Sequence, residues 1–139
     1  MIRNGIFMRV GATVIVEAYL MQRRILVVDD DDDVRAMLRD RLQAMGFVVV
    51  TAEDGLIGTE IVKSSWIDGI LLDVEMPVMD GLATLRELRR WHAHIPVIMM
   101  SADNDPDTLK AAIELGALGY APKPIDGTLL GAQCKRLFG

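Results

Sequence analysis

The chain is predicted to adopt an α/β fold: a doubly wound, five-stranded parallel sheet with five helices. Short apolar runs rich in β-branched residues alternate with segments whose apolar residues recur at helical spacing. Polar side chains follow directly after several of the apolar runs. Such alternation favours a parallel sheet that is covered on both faces. The predicted strands are Ile25–Val28, Phe47–Val50, Gly69–Leu72, Val97–Met100 and a short run at Tyr120 and Ala121.

The predicted helices lie between and after these strands. Their apolar residues fall within Val34–Met45, Leu56–Val62, Leu82–Leu88, Leu109–Ile113 and Leu129–Leu137. Gly46 and Gly116 are positioned to end the first and fourth helices. Asp80, Asp107 and Asp126 are expected to cap the last three helices. We expect Leu109, Ala112 and Ile113 to face inward, and Trp66 and Trp91 to cover the edges of the core.

Composition limits the classes of function. The chain has 139 residues, 51% of them hydrophobic, which predicts one domain with a substantial core. A net charge of -5 and the lack of a basic run disfavour binding to nucleic acid. The single cysteine, Cys134, rules out an internal disulfide framework and fits a reducing, cytoplasmic location.

Residues 1–22 are treated as an N-terminal extension, and residues 23–139 as the domain. The segment from Ile6 to Leu20 is apolar but carries Arg9 and Glu17, so it is too short and too charged for a membrane span. It is open whether the extension is a signal peptide, an extra strand or helix, a disordered arm, or sequence upstream of a start at Met21.

The polar residues at the strand ends suggest phosphoryl chemistry. Asp29, Asp30, Asp73 and Ser101 should meet at one edge of the sheet, with Lys123 just beyond the fifth strand. Clustered carboxylates repel one another unless a divalent cation lies among them, and oxygen ligands favour Mg²⁺ or Mn²⁺. A carboxylate nucleophile with a nearby lysine and hydroxyl suits phosphoryl transfer. Because no Gly-rich phosphate loop is present, the donor is not expected to be a bound nucleotide.

Four segments carry a resemblance to a known family. They are Val27-Val28-Asp29-Asp30, Asp73 with Met76–Gly81, Met99–Ala102, and Gly116–Pro124. In this order and spacing they resemble a response-regulator receiver domain of two-component signalling, of the stand-alone type, across Arg23 to Phe138. The resemblance implies the flavodoxin-like receiver fold.

The resemblance also implies roles for individual residues. Asp73 would accept a phosphoryl group from a phosphohistidine on a sensor histidine kinase or a histidine phosphotransfer protein. Asp30 and Asp73 would bind Mg²⁺ directly, Asp29 mainly through water, and the Glu75 backbone carbonyl would complete the protein ligands. The protein would then be a signalling phosphoacceptor, catalysing only its own phosphorylation and dephosphorylation.

The output would begin with three further side chains. By resemblance, Lys123 pairs with the phosphoryl group, Ser101 donates a hydrogen bond to it and shifts inward, and Tyr120 turns inward as Ser101 moves. The surface of helix 4, strand 5 and helix 5 would then change its affinity for a downstream protein. The Lys123-Pro124 bond is expected to be cis. Homodimerisation is open, and no membrane or nucleic-acid partner is expected.

Several alternatives remain at this point. The Glu75 side chain either perturbs phosphoryl access or lifetime, or lies in solvent. Asp80 is a helix cap rather than a ligand, and Asp31–Asp33 cap or solvate the first helix. The chain could instead be a Mg²⁺-dependent aspartyl-phosphate phosphatase of the haloacid-dehalogenase kind, or a degenerate receiver used only for docking. Because the last helix ends at the terminus, we expect no DNA-binding output domain in this chain.

Overall fold

The computed structural model describes residues 21–92 and 94–139, and the expectations for residues 1–20 lie outside this part of the chain. Five strands and five helices alternate along it. In chain order they are β1 Arg24–Val28, α1 Asp32–Ala44, β2 Val48–Ala52, α2 Gly55–Ser64, β3 Gly69–Asp73, α3 Gly81–Trp91, β4 Val97–Ser101, α4 Pro106–Glu114, β5 Gly119–Pro122 and α5 Gly127–Phe138. The predicted fold class is therefore confirmed.

The strands form one parallel sheet in the order β2-β1-β3-β4-β5. This is a doubly wound order: β2 lies on one side of β1, and β3, β4 and β5 are added in turn on the other side. Strands β3 and β4 are buried along their whole length. Burial on both faces explains why they read as continuous apolar runs rather than as alternating patterns.

Alternate side chains of the sheet enter two separate cores. On one face, Leu26, Ile70 and Leu72 pack in a cluster with Val62 of α2, Leu85 of α3 and Ala112 of α4. On the other face, Ile25, Val27 and Leu71 pack with Leu38 of α1 and with Leu130 and Cys134 of α5. Helices α1 and α5 therefore cover one face of the sheet, and α2, α3 and α4 cover the other. Burial raises the pKa of the Cys134 thiol to about 12, so this cysteine is an inert core residue.

Aspartate caps the helices, with one correction to the prediction. Asp80 and Asp126 cap α3 and α5 as predicted, each accepting backbone N–H bonds from the first turn. For α4, however, the cap is Asp105, whose carboxylate accepts from the Asp107 N–H. Pro106 explains the difference, since its fixed φ and missing N–H suit the first helical position. Asp107 therefore lies inside the first turn.

Four apolar residues face solvent, contrary to prediction. In α4, Leu109 and Ile113 were expected to face inward but are 37% and 60% exposed. Trp66 and Trp91 were expected to cover the edges of the core but are 59% and 62% exposed. The Trp indoles donate to Asp68 and Glu87, respectively, which gives each polar atom a partner near the surface. In α4 the inward position is filled by Ala112 alone.

Among the helices of residues 21–92 and 94–139, none is long and apolar enough to cross a membrane.

Candidate functional site

Strand register brings the polar residues together at the carboxyl edge of the sheet. Val28 pairs with Leu72, so Asp29 and Asp73 extend level from adjacent strands. Asp73 pairs with Met100, so Ser101 lies one residue further along; Ser101 pairs with Pro122, so Lys123 lies one residue beyond Ser101. The Lys123-Pro124 peptide is cis, as expected. The sheet itself, rather than any local motif, therefore assembles the site.

Lys123 joins the two buried carboxylates. Its Nζ lies 3.1 Å from Asp29 Oδ2 and 3.1 Å from Asp73 Oδ1. Both aspartate side chains are fully buried, whereas the lysine side chain remains 21% exposed. Asp73 Oδ2 is buried with no hydrogen-bond partner within the described residues. One nucleophilic oxygen of Asp73 is therefore held by an ammonium group, and the other is free to take a ligand.

The environment opposes a negative charge on Asp73. Burial, and then the charge of Asp29, raise its pKa from the ordinary 3.8 to about 7, although Lys123 acts in the opposite direction. Burial lowers the pKa of Lys123, but its contacts with the two carboxylates outweigh that effect and leave the pKa raised. Two acids and one base in this space leave the cluster with excess negative charge, which a cation would stabilise.

The acidic cluster fits a hard divalent cation. Asp29, Asp30 and Asp73 each offer one carboxylate oxygen, and these atoms lie within 4.8 Å of one another. Asp30 is exposed at the mouth of the site, while the other two are buried. The free Asp73 Oδ2 and the all-oxygen donor set suit Mg²⁺ or Mn²⁺ rather than zinc.

The turn after β4 is organised by Glu75. Its Oε1 accepts hydrogen bonds from the Ser101 hydroxyl at 2.8 Å, from the Ala102 N–H at 2.6 Å and from the Asp103 N–H at 3.0 Å. Ser101 is itself fully buried, and its Oγ also accepts from the Asp103 N–H. The Glu75 side chain, for which the sequence allowed either a role near the phosphoryl group or exposure to solvent, is therefore hydrogen-bonded to the turn after β4.

Tyr120 is connected to the same turn. Its hydroxyl donates to the Asp103 carbonyl, which lies 3.0 Å from the Ser101 hydroxyl. The half-buried ring packs against the core formed with α2, α3 and α4. Ser101 and Tyr120, the two predicted switch residues, thus share one carbonyl group.

Two contacts of the site were not predicted from the sequence. The Glu75 contact joins residues 26 to 28 positions apart, beyond the reach of any local pattern. Arg35 of α1 donates to the Asp29 carbonyl at 2.6 Å and pairs with Asp32, fixing the loop that carries the acids. The only sign of the Arg35 contact in the sequence is an arginine six residues after Asp29, and this spacing is too common to predict a contact.

Comparison with known proteins identifies the family. Residues 25–135 match the response regulator receiver domain. The chain belongs to this family. Its fold also matches the chemotaxis protein CheY4 of Vibrio cholerae, with a TM-score of 0.79 and 29% identity, covering 84% of this chain and 98% of that one. The receiver domain of the Francisella response regulator 1452 matches with a TM-score of 0.79 and 26% identity, covering 84% of this chain and 97% of that one.

Longer proteins match as well. The DNA-binding transcriptional regulator NtrC of Escherichia coli is 42% identical over 107 residues, covering 76% of this receiver chain but 23% of that protein. The transcriptional regulatory protein PrrA of Mycobacterium tuberculosis is 40% identical over 115 residues, covering 83% of this chain and 49% of that protein. The chain thus spans half or less of these curated relatives.

Proposed function

We propose that this receiver domain takes a phosphoryl group onto Asp73 from a phosphohistidine protein and signals through altered protein contacts. The observation that carries the proposal is the arrangement around Asp73, whose Oδ1 contacts Lys123 while Oδ2 has no hydrogen-bond partner among residues 21–92 and 94–139. Histidine kinases and histidine phosphotransfer proteins are the expected donors for this family. The N-terminal residues 1–22 are assigned no part in the reaction, which belongs to residues 23–139.

The transfer itself is a simple displacement. An oxygen of Asp73 attacks the phosphorus atom, the new P–O bond forms, and the P–N bond to the donor histidine breaks. The imidazole nitrogen leaves with the bonding electron pair and takes a proton from solvent. Lys123, 3.1 Å from Asp73 Oδ1, pairs with the transferred group, and the Ser101 hydroxyl donates to one of its oxygens.

The proposed ligands of Mg²⁺ are the carboxylates of Asp29, Asp30 and Asp73 and the backbone carbonyl of Glu75. Asp29 would act mainly through water. Mn²⁺ could take the place of Mg²⁺. When bound, the ion neutralises the carboxylates and the phosphoryl oxygens. This assignment is supported by the 4.8 Å grouping of the three carboxylates. It also explains how a group whose pKa is raised to about 7 serves as a nucleophile near neutral pH.

The proposed output surface comprises α4, β5 and α5. Tyr120 lies on β5 and donates to the Asp103 carbonyl in the turn after β4, so a movement of Ser101, which donates to the same carbonyl, would reach this surface through Asp103. Ile113 and Leu118 are 60% and 59% exposed there, which provides apolar area for a partner protein. A downstream protein or a second receiver would bind this surface, and we propose a cytoplasmic location for the interaction.

A phosphatase function is disfavoured by the position of Glu75. Phosphatases of the haloacid-dehalogenase kind normally carry a second aspartate, acting as acid/base, two residues after the phosphorylated one, and Glu75 stands at that position here. Its carboxylate is instead bound to Ser101, Ala102 and Asp103. A docking-only role is disfavoured by the complete set of acid, serine and lysine groups.

The test is intact-mass analysis after incubation with phosphoramidate and Mg²⁺. We expect one phosphoryl adduct on the native protein, none on Asp73→Asn, and none without the metal. Release of p-nitrophenol from p-nitrophenyl phosphate is measured in parallel, and sustained turnover would favour the phosphatase. An adduct on Asp73→Asn equal to that on the native protein would refute the phosphoacceptor assignment.

A further inference from the structure

The turn after β4 has the properties of an anion site. The Ala102 and Asp103 N–H groups and the Ser101 hydroxyl converge on one oxygen atom, at 2.6 Å, 3.0 Å and 2.8 Å. Consecutive backbone N–H groups that point to one atom favour a negatively charged oxygen. In the present structure that oxygen is Oε1 of Glu75.

The same donors are needed when Asp73 is phosphorylated. Ser101 is the proposed donor to the phosphoryl group, yet its single hydroxyl proton is shared between Glu75 and the Asp103 carbonyl. Glu75 follows Asp73 by only two residues, and its own N–H donates to Asp73 Oδ1 at 3.3 Å, so its carboxylate stays near the phosphorylation site. A phosphoryl group and the Glu75 carboxylate would therefore compete for one set of donors and repel each other.

We propose that the Glu75 carboxylate is an internal substitute for the phosphoryl group, held on Ser101, Ala102 and Asp103 until phosphorylated Asp73 displaces it. This inference rests on the proposed function and assigns Glu75 a positioning role within it. Glu75 is tethered only two residues from Asp73 and is otherwise exposed, so it leaves the turn without disturbing the core.

Displacement would also reach Tyr120. With Glu75 bound, Ser101 and Asp103 form a closed network, and the Tyr120 hydroxyl is held by the Asp103 carbonyl. Once the Ser101 hydroxyl donates to the phosphoryl group, it no longer donates to the Glu75 carboxylate or to the Asp103 carbonyl. Glu75 therefore stabilises the arrangement of Ser101 and Tyr120 seen here, and loss of its carboxylate favours their release toward the phosphoryl group.

The experiment compares native protein with Glu75→Ala, Glu75→Gln and Glu53→Gln. Glu53 is an exposed acid that follows β2 at the same edge of the sheet, so it controls for the loss of one charge. Amide NMR spectra of the metal-free proteins report the hydrogen bonds of Ala102 and Asp103. Titration with beryllofluoride in Mg²⁺ then measures the affinity for a phosphoryl mimic on Asp73.

We expect the Ala102 and Asp103 amide signals to move in Glu75→Ala but not in Glu53→Gln. Beryllofluoride should bind about tenfold more tightly to Glu75→Ala, equivalent to about 1.4 kcal/mol, with a smaller gain for Glu75→Gln. Unchanged amide signals, or an equal gain for Glu53→Gln, would overturn the inference. Phosphoramidate labelling of Asp73 in the native protein is measured separately. If Asp73 is labelled but the Glu75 variants behave like the native protein, the inference about Glu75 fails while the proposed function stands.

Discussion

At the scale of single residues, Asp73 is in an environment that disfavours its ionised form. Burial and the neighbouring Asp29 raise its pKa from 3.8 to about 7, against the opposing effect of Lys123. Between those two pH values, the folded protein holds a proton that the unfolded chain has released. The free energy of unfolding therefore falls as the pH rises through this window.

Removing this charge should stabilise the metal-free protein at high pH. We expect Asp73→Asn to have a free energy of unfolding about 2–4 kcal/mol greater than the native protein at pH 8, since one pKa unit corresponds to about 1.4 kcal/mol. The difference should shrink as the pH falls from 7 toward 4, because Asp73 of the folded native protein becomes protonated and loses its unfavourable buried charge. Urea denaturation in EDTA provides the measurement, and a native protein that is the more stable at pH 8 would contradict the account.

Val78 is strained in the loop that follows Asp73. Its φ is 70°, a conformation that β-branched residues rarely adopt, and its side chain is 82% exposed. We expect Val78→Gly to raise the free energy of unfolding by about 1 kcal/mol, because relief of strain exceeds the entropic cost of glycine. Val78→Ala should gain less. Thermal denaturation compares the three proteins, and a less stable Val78→Gly would show that the strain is absent.

At the scale of elements, the first residue of α3 fixes how closely that helix approaches β3. A Cβ at Gly81 would clash with the Asp73 carbonyl and lie 2.7 Å from Val74 Cα, both of which are backbone atoms. We expect Gly81→Ala to destabilise the protein by about 3 kcal/mol and to displace the phosphoacceptor loop. Gly127 provides the matched control.

Gly127 also follows an aspartate cap, but a Cβ there would lie 3.1 Å from Arg41 Cδ, part of a flexible side chain. Gly127→Ala should therefore change the free energy of unfolding by less than about 1 kcal/mol. Denaturation curves of the two variants give the comparison. Equal effects in both would show that backbone contact at Gly81 does not limit the position of α3.

The start of α4 gives a second test at this scale. Asp105 accepts a backbone N–H bond as the cap, whereas Asp107 contributes only its charge in the first turn. We expect Asp105→Ala to cost about 1 kcal/mol and Asp107→Ala about 0.3 kcal/mol. Urea midpoints of the two variants decide between them, and the reverse order would restore Asp107 as the cap.

At the scale of the whole molecule, the sequence predicted the features that follow from the rules of parallel sheets. It did not predict side-chain contacts between residues far apart in the chain. Alternating strands and helices place Asp29, Asp73 and Ser101 at one edge in any parallel sheet of this order. The Glu75 contact was left open because its partners lie on a different strand end. Apolar spacing also could not show that Ile113 faces outward, since helical periodicity does not specify how wide the buried stripe is.

The central claim is that Asp73 alone carries the phosphoryl group. Borohydride reduces an acyl phosphate to a primary alcohol, so reduction after phosphoramidate and Mg²⁺ treatment marks the phosphorylated carboxylate permanently. Tandem mass spectrometry of the digested protein then locates the mark. The account predicts reduction at position 73 and at no other acid, with Asp29, Asp30 and Glu75 unchanged. Reduction at any of those three residues, with Asp73 intact, would contradict it.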